Sequence, residues 1–151
     1  MQDIIMWPVG HVSNQITERK DHFWGDDIST IILSEEFRGG LTGLSDFSHA
    51  IILCHLDKAK YIPEKHLLRH PRNRTDLPLL GIFSQRTKDH PNQIGITSAE
   101  ILSVSDTSIT VKGLDAIDGT PVLDIKPYFP VFDRRDAQTP EWVDILMENY
   151  F

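Results

Sequence analysis

The chain has little cysteine and no long apolar run. Cys54 is the one cysteine among 151 residues, so no disulfide can form within the chain, and a lone thiol favours a reducing compartment. Its surroundings, "AIILCHL", predict a packed thiol rather than a nucleophile. No segment approaches the roughly 18 apolar residues of a membrane-spanning helix, and the N-terminus lacks the pattern of a signal peptide. We therefore expect a soluble cytoplasmic protein without a membrane partner.

The common nucleotide-binding motifs are absent as well. There is no G-x-G-x-x-G after a strand, no Walker-type loop and no paired C-x-x-C, and the glycines of "FRGGLTGL" have a different spacing. The net charge of −7 argues against broad, non-specific binding to nucleic acid, which needs many cationic contacts with phosphate. A nucleotide cofactor, if one binds, is not held in a Rossmann crevice, and any contact with RNA has to be local.

Short apolar segments rich in β-branched residues predict several strands. The segment "HAIILCHL" is typical of a strand buried on both faces. The segment "GITSAEILSVSDTSITVKGL" predicts a hairpin that turns at Asp106–Thr107, with Ile109 and Val111 on one face of its second arm. The other strand candidates are "IIMWPVGHV", "ISTIILSE", "LPLLGIFS" and "PVLDIKPYF", the last of which its prolines place near an edge or rim.

Helix signals are few. In "TPEWVDILMENYF", Thr139 suits the N-cap and Pro140 the first helical position, and an apolar stripe follows at Trp142, Ile145, Leu146 and Tyr150. A short helical turn fits "SEEFRGGLTGL". The pattern predicts a mainly β fold: a single compact antiparallel β-barrel domain over residues 1–151, with a C-terminal helix and short helical turns.

Two polar loops are the candidate binding segments. One is "SQRTKDHPNQIGIT", and the other is the turn Asp118-Gly119-Thr120-Pro121. Proline, asparagine and glycine make both typical of plain strand connections, yet the same residues build a rigid cradle for a small polar ligand. We expect the strand after the turn to carry Asp124, Lys126 and Tyr128 towards the same region.

The basic run "EKHLLRHPRNR" is the best candidate for an RNA contact, through Arg69, Arg72 and Arg74. His66 and His70 have the i, i+4 spacing of a metal pair on a helix. Pro71 and the neighbouring arginines favour a surface patch instead, so no metal site is expected.

Three blocks, taken in order, are similar to those of a known family. The blocks "GLSDFSHAIILCHLDKA", "GIFSQRTKDHPNQIGIT" and "GLDAIDGTPVLDIKPYFPVFD" resemble the signatures of the TsaA-like (TrmO-type) family, over about Trp7 to Asp133. The resemblance implies a β-barrel that binds S-adenosylmethionine, often across a homodimer interface. It also implies N6-methylation of threonylcarbamoyl-adenosine at tRNA position 37, with tRNA as partner.

The resemblance also implies which residues contact the cofactor. The positions that match the family's cofactor contacts are Asp57, Lys58, Arg86, Ile96, Asp118, Gly119, Thr120 and Pro121. A further cofactor contact is implied near His22–Trp24.

Catalysis stays open at three candidates, His90, Asp118 and Tyr128, because the acceptor nitrogen is a poor nucleophile that a base would help. The chain differs from family enzymes at His90, where they have arginine, and at Gln93, where they have proline. It ends after one helix, whereas full-length enzymes carry a C-terminal extension, so we expect a short form. Two alternatives remain: a non-catalytic module that binds the cofactor or a related nucleotide, and a methyltransferase for another small or RNA substrate.

Overall fold

The computed structural model describes residues 1–151 as a closed, six-stranded antiparallel barrel with a small two-stranded sheet beside it. The mainly β fold predicted from the sequence is confirmed. The barrel strands are β1 (Gly10–Ser13), β2 (Ile28–Leu33), β3 (His49–His55), β6 (Ile94–Val104), β7 (Ser108–Lys112) and β8 (Pro121–Pro127), and the small sheet pairs β4 (Leu68–Arg69) with β5 (Leu80–Gly81).

The strands follow the order β1-β2-β7-β6-β3-β8 around the barrel, and β8 closes it by pairing with β1. Of the two positions predicted for the last strand, an edge or a rim, the edge is wrong, since β8 has a partner on both sides. Its prolines are compatible with this position because Pro121 and Pro127 are its first and last residues, where a missing N–H costs the ladder little. The hairpin predicted at Asp106–Thr107 is confirmed as the β6–β7 connection.

Side chains of alternating residues fill the barrel, as period-two strands require. In β7, Ile109 and Val111 point inward as predicted and are fully buried. In β3, Ala50, Ile52 and Cys54 are buried while the intervening residues are half-buried. The prediction that β3 is buried on both faces is wrong, because each strand of this barrel turns only one face to the core.

Two predicted strands are shorter than expected. The first begins only at Gly10, and Met1–Pro8 forms no strand. In "LPLLGIFS", only Leu80–Gly81 pairs, and Ile82–Ser84 then forms a 3-10 turn. Apolar composition alone did not reveal these ends, because no partner strand is available there for pairing.

The helices are short: α1 (Pro63–His66), α2 (Pro130–Asp133) and α3 (Glu141–Met147). The C-terminal helix is confirmed, but Pro140 rather than Thr139 is its N-cap, and Ile145 of the predicted stripe is 46% exposed while Leu146 is buried. The helical turns around "SEEFRGGLTGL" are present as two 3-10 turns, Glu35–Phe37 and Leu44–Asp46. None of the helices has the length and apolar character that crossing a membrane requires.

Candidate functional site

The strand register brings several predicted contact segments to one end of the barrel. Cys54 of β3 pairs with Gly95 of β6 on one side and with Val122 of β8 on the other. Asp57–Lys58 follows β3 and Asp118–Thr120 precedes β8, so both segments lie at this end. Neighbouring strands are about 4.8 Å apart, which puts the starts of β6 and β8 roughly 10 Å apart across β3. We call this end of the barrel, where β3 stops and β6 and β8 start, the Asp118 end.

The turn Asp118–Pro121 is fixed by its own backbone. Gly119 has φ of +80°, a conformation that favours glycine, and its N–H donates a 2.8 Å hydrogen bond to the Val12 carbonyl. Thr120 Oγ1 donates to the Ile117 carbonyl at 2.7 Å. A Cβ on Gly119 would meet no atom within 4 Å, so the outer side of the turn is open. The Gly119 amide itself is already paired and is not a free donor for a ligand.

Asn14 braces this turn and was not identified from the sequence. Its Nδ2 donates 2.9 Å hydrogen bonds to Ser29 Oγ and to the Ala116 carbonyl, and its Oδ1 accepts from the N–H of Ile16. Its own N–H donates to Asp118 Oδ1 at 2.9 Å. The sequence signal was an asparagine directly after a strand, a position where its side chain commonly bonds to nearby backbone.

Asp57 and Lys58 are exposed where β3 ends. The Asp57 N–H donates to the His55 carbonyl at 2.8 Å, and the Lys58 carbonyl accepts a hydrogen bond from the Arg19 guanidinium. Neither side chain has an oppositely charged group within 4 Å. Both charged groups are therefore available to a ligand.

The first half of β6 has an open edge, because its pairing with β7 starts only at Glu100. The Ile101 N–H donates to the Ser48 carbonyl, and in an antiparallel ladder the backbone groups of alternate residues point the same way. Ile96 is five residues before Ile101, an odd number, so its backbone groups point the opposite way from those of Ile101. They therefore point away from β3, towards the open edge. Arg86 Nη2 donates a 3.0 Å hydrogen bond to the Ile96 carbonyl, so these two predicted contact residues are brought together.

A shared carboxylate, Asp115, connects this edge to the Asp118 turn. Thr97 Oγ1 donates to Asp115 Oδ1, and the Tyr150 hydroxyl donates to Asp115 Oδ2 at 2.6 Å. Burial and the adjacent Asp115 carboxylate raise the pKa of Tyr150, while the nearby guanidinium groups of Arg72 and Arg86 act weakly in the opposite direction. Tyr150 thus remains a proton donor to Asp115. The sequence signal for Asp115 was its place three residues before Asp118 in the same motif.

The segment His22–Trp24, a predicted cofactor contact, packs beside the C-terminal residues. The Trp24 N–H donates to the Tyr150 carbonyl at 2.8 Å. A Cβ on Gly25 would lie 2.6 Å from the Phe151 carbonyl carbon, so the glycine permits this close approach. Because Tyr150 also bonds to Asp115, the segment belongs to the Asp118 end.

The proline loop before β6 is supported by a buried carboxylate. Asp89 is 5% exposed, and its Oδ2 lies 2.9 Å from Lys88 Nζ, 3.2 Å from Arg69 Nη1 and 3.9 Å from His66 Nε2. Burial opposes ionisation of Asp89, but the hydrogen bonds and charge of Lys88 outweigh it and lower the pKa of the carboxyl. The structure therefore places Arg69 inside this support rather than on an RNA-facing surface.

The other two predicted RNA contacts are also engaged. Arg72 Nη2 donates to the Asp21 carbonyl at 3.1 Å, and Arg74 forms a 2.6 Å ion pair with Asp76. The basic run is consequently not a continuous cationic surface, and its three arginines have three different partners.

Two of the three catalytic candidates lie at the Asp118 end. His90 Nε2 is 2.8 Å from the Gln85 carbonyl, so this nitrogen carries the proton and Nδ1 is left to accept one. The Asp118 side chain is exposed and accepts the Asn14 N–H. Cys54 is no alternative nucleophile, because burial, with a smaller effect of Asp115, raises the pKa of its thiol to about 12.

The third candidate, Tyr128, lies at the opposite end of the barrel. Its N–H donates to the carbonyl of His49, the first residue of β3, at 3.1 Å. We call this the Tyr128 end. The expectation that β8 carries its polar side chains towards the Asp118 turn is wrong, because the strand starts at that turn and runs away from it, taking Asp124, Lys126 and Tyr128 with it.

The two histidines with metal-pair spacing use their ring nitrogens within the fold. His66 Nδ1 accepts the Ile62 N–H at 2.9 Å, and His70 Nδ1 donates to the Leu77 carbonyl at 2.7 Å. No group of three or more His, Cys, Asp or Glu side chains is arranged to hold a metal ion.

Comparison with known families decides the affiliation. The model of the tRNA-methyltransferase O N-terminal domain matches residues 14–134. This span includes the loops of the Asp118 end, and the contacting residue Tyr150 lies outside it. The chain belongs to this family. The resemblance found in the sequence blocks is thereby confirmed.

Relatives within the family have two kinds of names. An S-adenosyl-L-methionine-binding protein of Archaeoglobus fulgidus is 34% identical over 144 residues, which cover 91% of this chain and 100% of that protein. A probable S-adenosyl-L-methionine-binding protein of Pyrococcus abyssi is 32% identical, covering 91% and 74%. The human tRNA (adenine(37)-N6)-methyltransferase is 37% identical over 109 residues, covering 72% of this chain and 24% of the enzyme.

Solved structures of the family share the architecture. TrmO from Pseudomonas aeruginosa superposes with a TM-score of 0.73 and 26% identity, over 94% of this chain and 62% of that chain. The chain thus spans less than two thirds of the solved enzyme and about a quarter of the human one.

Proposed function

We propose that this chain binds S-adenosylmethionine at the Asp118 end and transfers its methyl group to N6 of threonylcarbamoyl-adenosine at tRNA position 37. The observation that carries the proposal is the convergence, in a member of this family, of the open Asp118 turn, the free charges of Asp57–Lys58 and the Arg86-braced edge of β6.

The groups at this end fit the chemistry of that cofactor. The Arg86 guanidinium suits its carboxylate, through a charge-assisted hydrogen bond, and the carboxylates of Asp57 and Asp118 suit its ribose hydroxyls or its ammonium group. The outward N–H of Ile96, whose carbonyl is bonded to Arg86, suits an acceptor on the edge of an adenine, and the space outside Gly119 admits the ligand without a steric clash. Once bound, the cofactor supplies an electrophilic methyl group on a sulfonium.

The protein's contribution to the transfer is mainly positioning, since an in-line displacement depends on the alignment of its reactants. With a methyl group supplied by the bound cofactor, and the former bond electrons left on its sulfur, the N6 nitrogen that gained the methyl would have to lose a proton. We propose His90 Nδ1 or the Asp118 carboxylate, both acceptors at this end, as the group that takes that proton.

The test is a calorimetric titration with S-adenosylmethionine, followed by methylation assays on tRNA with and without the threonylcarbamoyl group. Saturable binding at about one site per chain and transfer that requires the threonylcarbamoyl group would support the proposal. No binding at millimolar cofactor would refute it.

A second candidate is a binding module without catalysis. It is favoured by the archaeal relatives that match the chain over most of their length and are named as S-adenosyl-L-methionine-binding proteins. Cofactor binding without transfer to any tRNA pool would support this candidate, whereas transfer to RNA without the threonylcarbamoyl group would indicate a different methylation substrate.

We further propose a homodimer. The outer face of β3 and β6 carries apolar side chains at Leu53, Ile94 and Ile96, of which Ile96 is 50% exposed and lies next to Arg86. A contact there would cover this face and place the partner beside the cofactor. Light scattering checks the mass: a monomer at micromolar concentration contradicts this part of the proposal.

We also propose that residues 1–151 act as one domain in the cytoplasm. The long excursion between β3 and β6 contacts the β1–β2 connection through Arg72, whose Nη2 donates to the Asp21 carbonyl at 3.1 Å. A single cooperative unfolding transition is expected, and two separate transitions would contradict the one-domain description. Fractionation of cells that express the tagged protein tests the location.

A further inference from the structure

Three phenylalanine rings form a ladder on the surface at the Tyr128 end. The ring centroids of Phe47 and Phe129 are 5.7 Å apart with an interplanar angle of 14°, and Phe129 and Phe132 repeat both values. Phe132 is 68% exposed and has no second ring partner. This phenylalanine ladder therefore ends in an aromatic ring that is largely accessible to solvent.

The ladder is held in place by the turn of α2. The Phe129 N–H donates to Asp133 Oδ2 at 2.8 Å, and the Phe132 N–H donates to the Phe129 carbonyl at 2.9 Å. Beside the rings is a groove of about 490 Å³, lined in part by Phe47, His49 and Tyr128. Exposed rings are thus presented on a fixed backbone next to a concave surface.

Two cations directly follow the ladder. Arg134 and Arg135 are exposed, and no carboxylate lies within 4 Å of either guanidinium, whereas Arg38, Arg69, Arg72 and Arg74 each have one. Arg135 Nη1 donates to the carbonyls of Val131 and Arg134, so in a chain of net charge −7 these two cations lie beside the aromatic rings without a carboxylate partner. Their charge is complementary to a polyanion.

We propose that the phenylalanine ladder, with Arg134 and Arg135, is a contact surface for single-stranded RNA. Unpaired bases stack on exposed aromatic rings, and arginines contact the adjoining phosphates. A protein partner would also cover the rings, but the two uncompensated arginines favour RNA. The inference rests on the proposed function, because that function supplies the source of the RNA, an unpaired tRNA loop. The ladder is then an RNA surface separate from the basic run Arg69–Arg74.

The experiment measures fluorescence anisotropy of a labelled single-stranded RNA of about eight nucleotides, within the site sizes of comparable surfaces. Phe132→Ala is expected to weaken binding about fivefold or more, and Phe132→Tyr to keep most of the affinity because it keeps the ring. Arg134→Ala is expected to lower the slope of log affinity against log salt by about 0.7. Trp7→Ala and Arg74→Ala are the controls, in which exposed side chains of the same kinds are removed from outside the ladder, and both should bind RNA as the wild type does.

Two results overturn the inference: no RNA binding by the wild-type protein, or the same RNA affinity in Phe132→Ala, Arg134→Ala and the controls. A change of mass in light scattering on Phe132→Ala, with RNA affinity unaltered, would instead assign the ladder to a protein contact. Cofactor titration of the same variants separates this outcome from the proposed function, because the ladder lies at the other end of the barrel. If the variants keep both the cofactor binding and the RNA affinity of the wild type, only the RNA contact of the ladder is rejected. If the wild-type protein does not bind the cofactor, the proposed function is rejected.

Discussion

The hydroxyl of Tyr150 donates a 2.6 Å hydrogen bond to Asp115 Oδ2, and Thr97 occupies the other oxygen of the same carboxylate. This contact fastens the C-terminal segment between the open edge of β6 and the segment that leads into the Asp118 turn. Because Tyr150 is half-buried, the bond is protected from competing water. We infer that the Asp118 end depends on a residue outside the span matched by the family model.

Tyr150→Phe is expected to lower the free energy of unfolding by about 1–3 kcal/mol, because it leaves a partly buried carboxylate oxygen without its donor. Urea denaturation measures the loss. Tyr128→Phe is the matched control, since its hydroxyl makes no hydrogen bond within the fold. Equal losses in the two variants would contradict a specific role for the Tyr150–Asp115 bond.

The same pair predicts a dependence on alkaline pH. The pKa of Tyr150 is raised in the folded chain, so its contribution to stability is complete below the unfolded pKa of about 10 and is lost as the pH rises through the folded pKa. The wild-type free energy of unfolding should therefore fall more steeply above pH 10 than that of Tyr150→Phe. Parallel curves for the two proteins would show that the Tyr150 pKa is not shifted.

Arg86→Ala is expected to weaken S-adenosylmethionine binding about ten- to hundredfold, the effect of removing one hydrogen bond to a charged group, which is about 1.5–3 kcal/mol. Calorimetric titration measures it. Arg74→Ala removes the same charge from an exposed pair with Asp76 and should bind as the wild type does. A cofactor affinity that is unaffected by Arg86→Ala would remove this arginine from the site.

Asn14→Ala is expected to loosen the Asp118 turn, because three hydrogen bonds of its side chain are lost. We expect a loss of about 1–3 kcal/mol in stability and weaker cofactor binding in the same variant. Denaturant titration and calorimetry measure the two effects. The neighbouring Gln15 is exposed and makes no side-chain hydrogen bond, so Gln15→Ala should change neither, and a similar effect of both variants would speak against Asn14 as a brace.

Asp89→Asn is expected to destabilise the chain by about 1.5–3 kcal/mol at neutral pH, through weaker bonds to Lys88 and Arg69. The pKa of Asp89 is lowered on folding, so its contribution is present above the unfolded pKa of about 3.9 and is lost as the pH falls through the folded pKa. The two proteins should converge in stability at low pH. Asp76→Asn, at an exposed pair, should change little, and a constant difference between Asp89→Asn and wild type down to the lowest pH would contradict the ion pair.

The parts of the fold predicted correctly are those that short-range patterns specify. The β6–β7 hairpin followed from the strict alternation around Ile109 and Val111 and from turn residues at Asp106–Thr107. The burial of β3 and the extent of "LPLLGIFS" were not predictable in this way. Both depend on which strands become neighbours, and an apolar run looks the same whether one or both of its faces meet the core.

For the candidate site, the sequence blocks gave the segments, while the structure gave their geometry. Arg86 and Ile96 are in contact, as a shared site requires, but Tyr128 lies at the far end and Arg69 is held by Asp89. Strand direction explains the first error, since motif order along the chain does not say which way a strand runs. The pairing of Arg69 was not predictable, because a run of arginines does not reveal the buried carboxylate that pairs with one of them.

The sequence by itself determined the strand-forming segments, the mainly β class and the family, because alternation, turn residues and motif spacing are local properties of the chain. Only the tertiary structure decided that Asn14 braces the Asp118 turn, that Tyr150 closes onto Asp115, and that Phe47 stacks with Phe129. The Tyr150–Asp115 bond joins residues that are 35 positions apart in the chain, and the Asn14–Ala116 bond joins residues that are 102 positions apart. The register of a closed barrel sets which distant residues meet, and that register is a property of all six strands together.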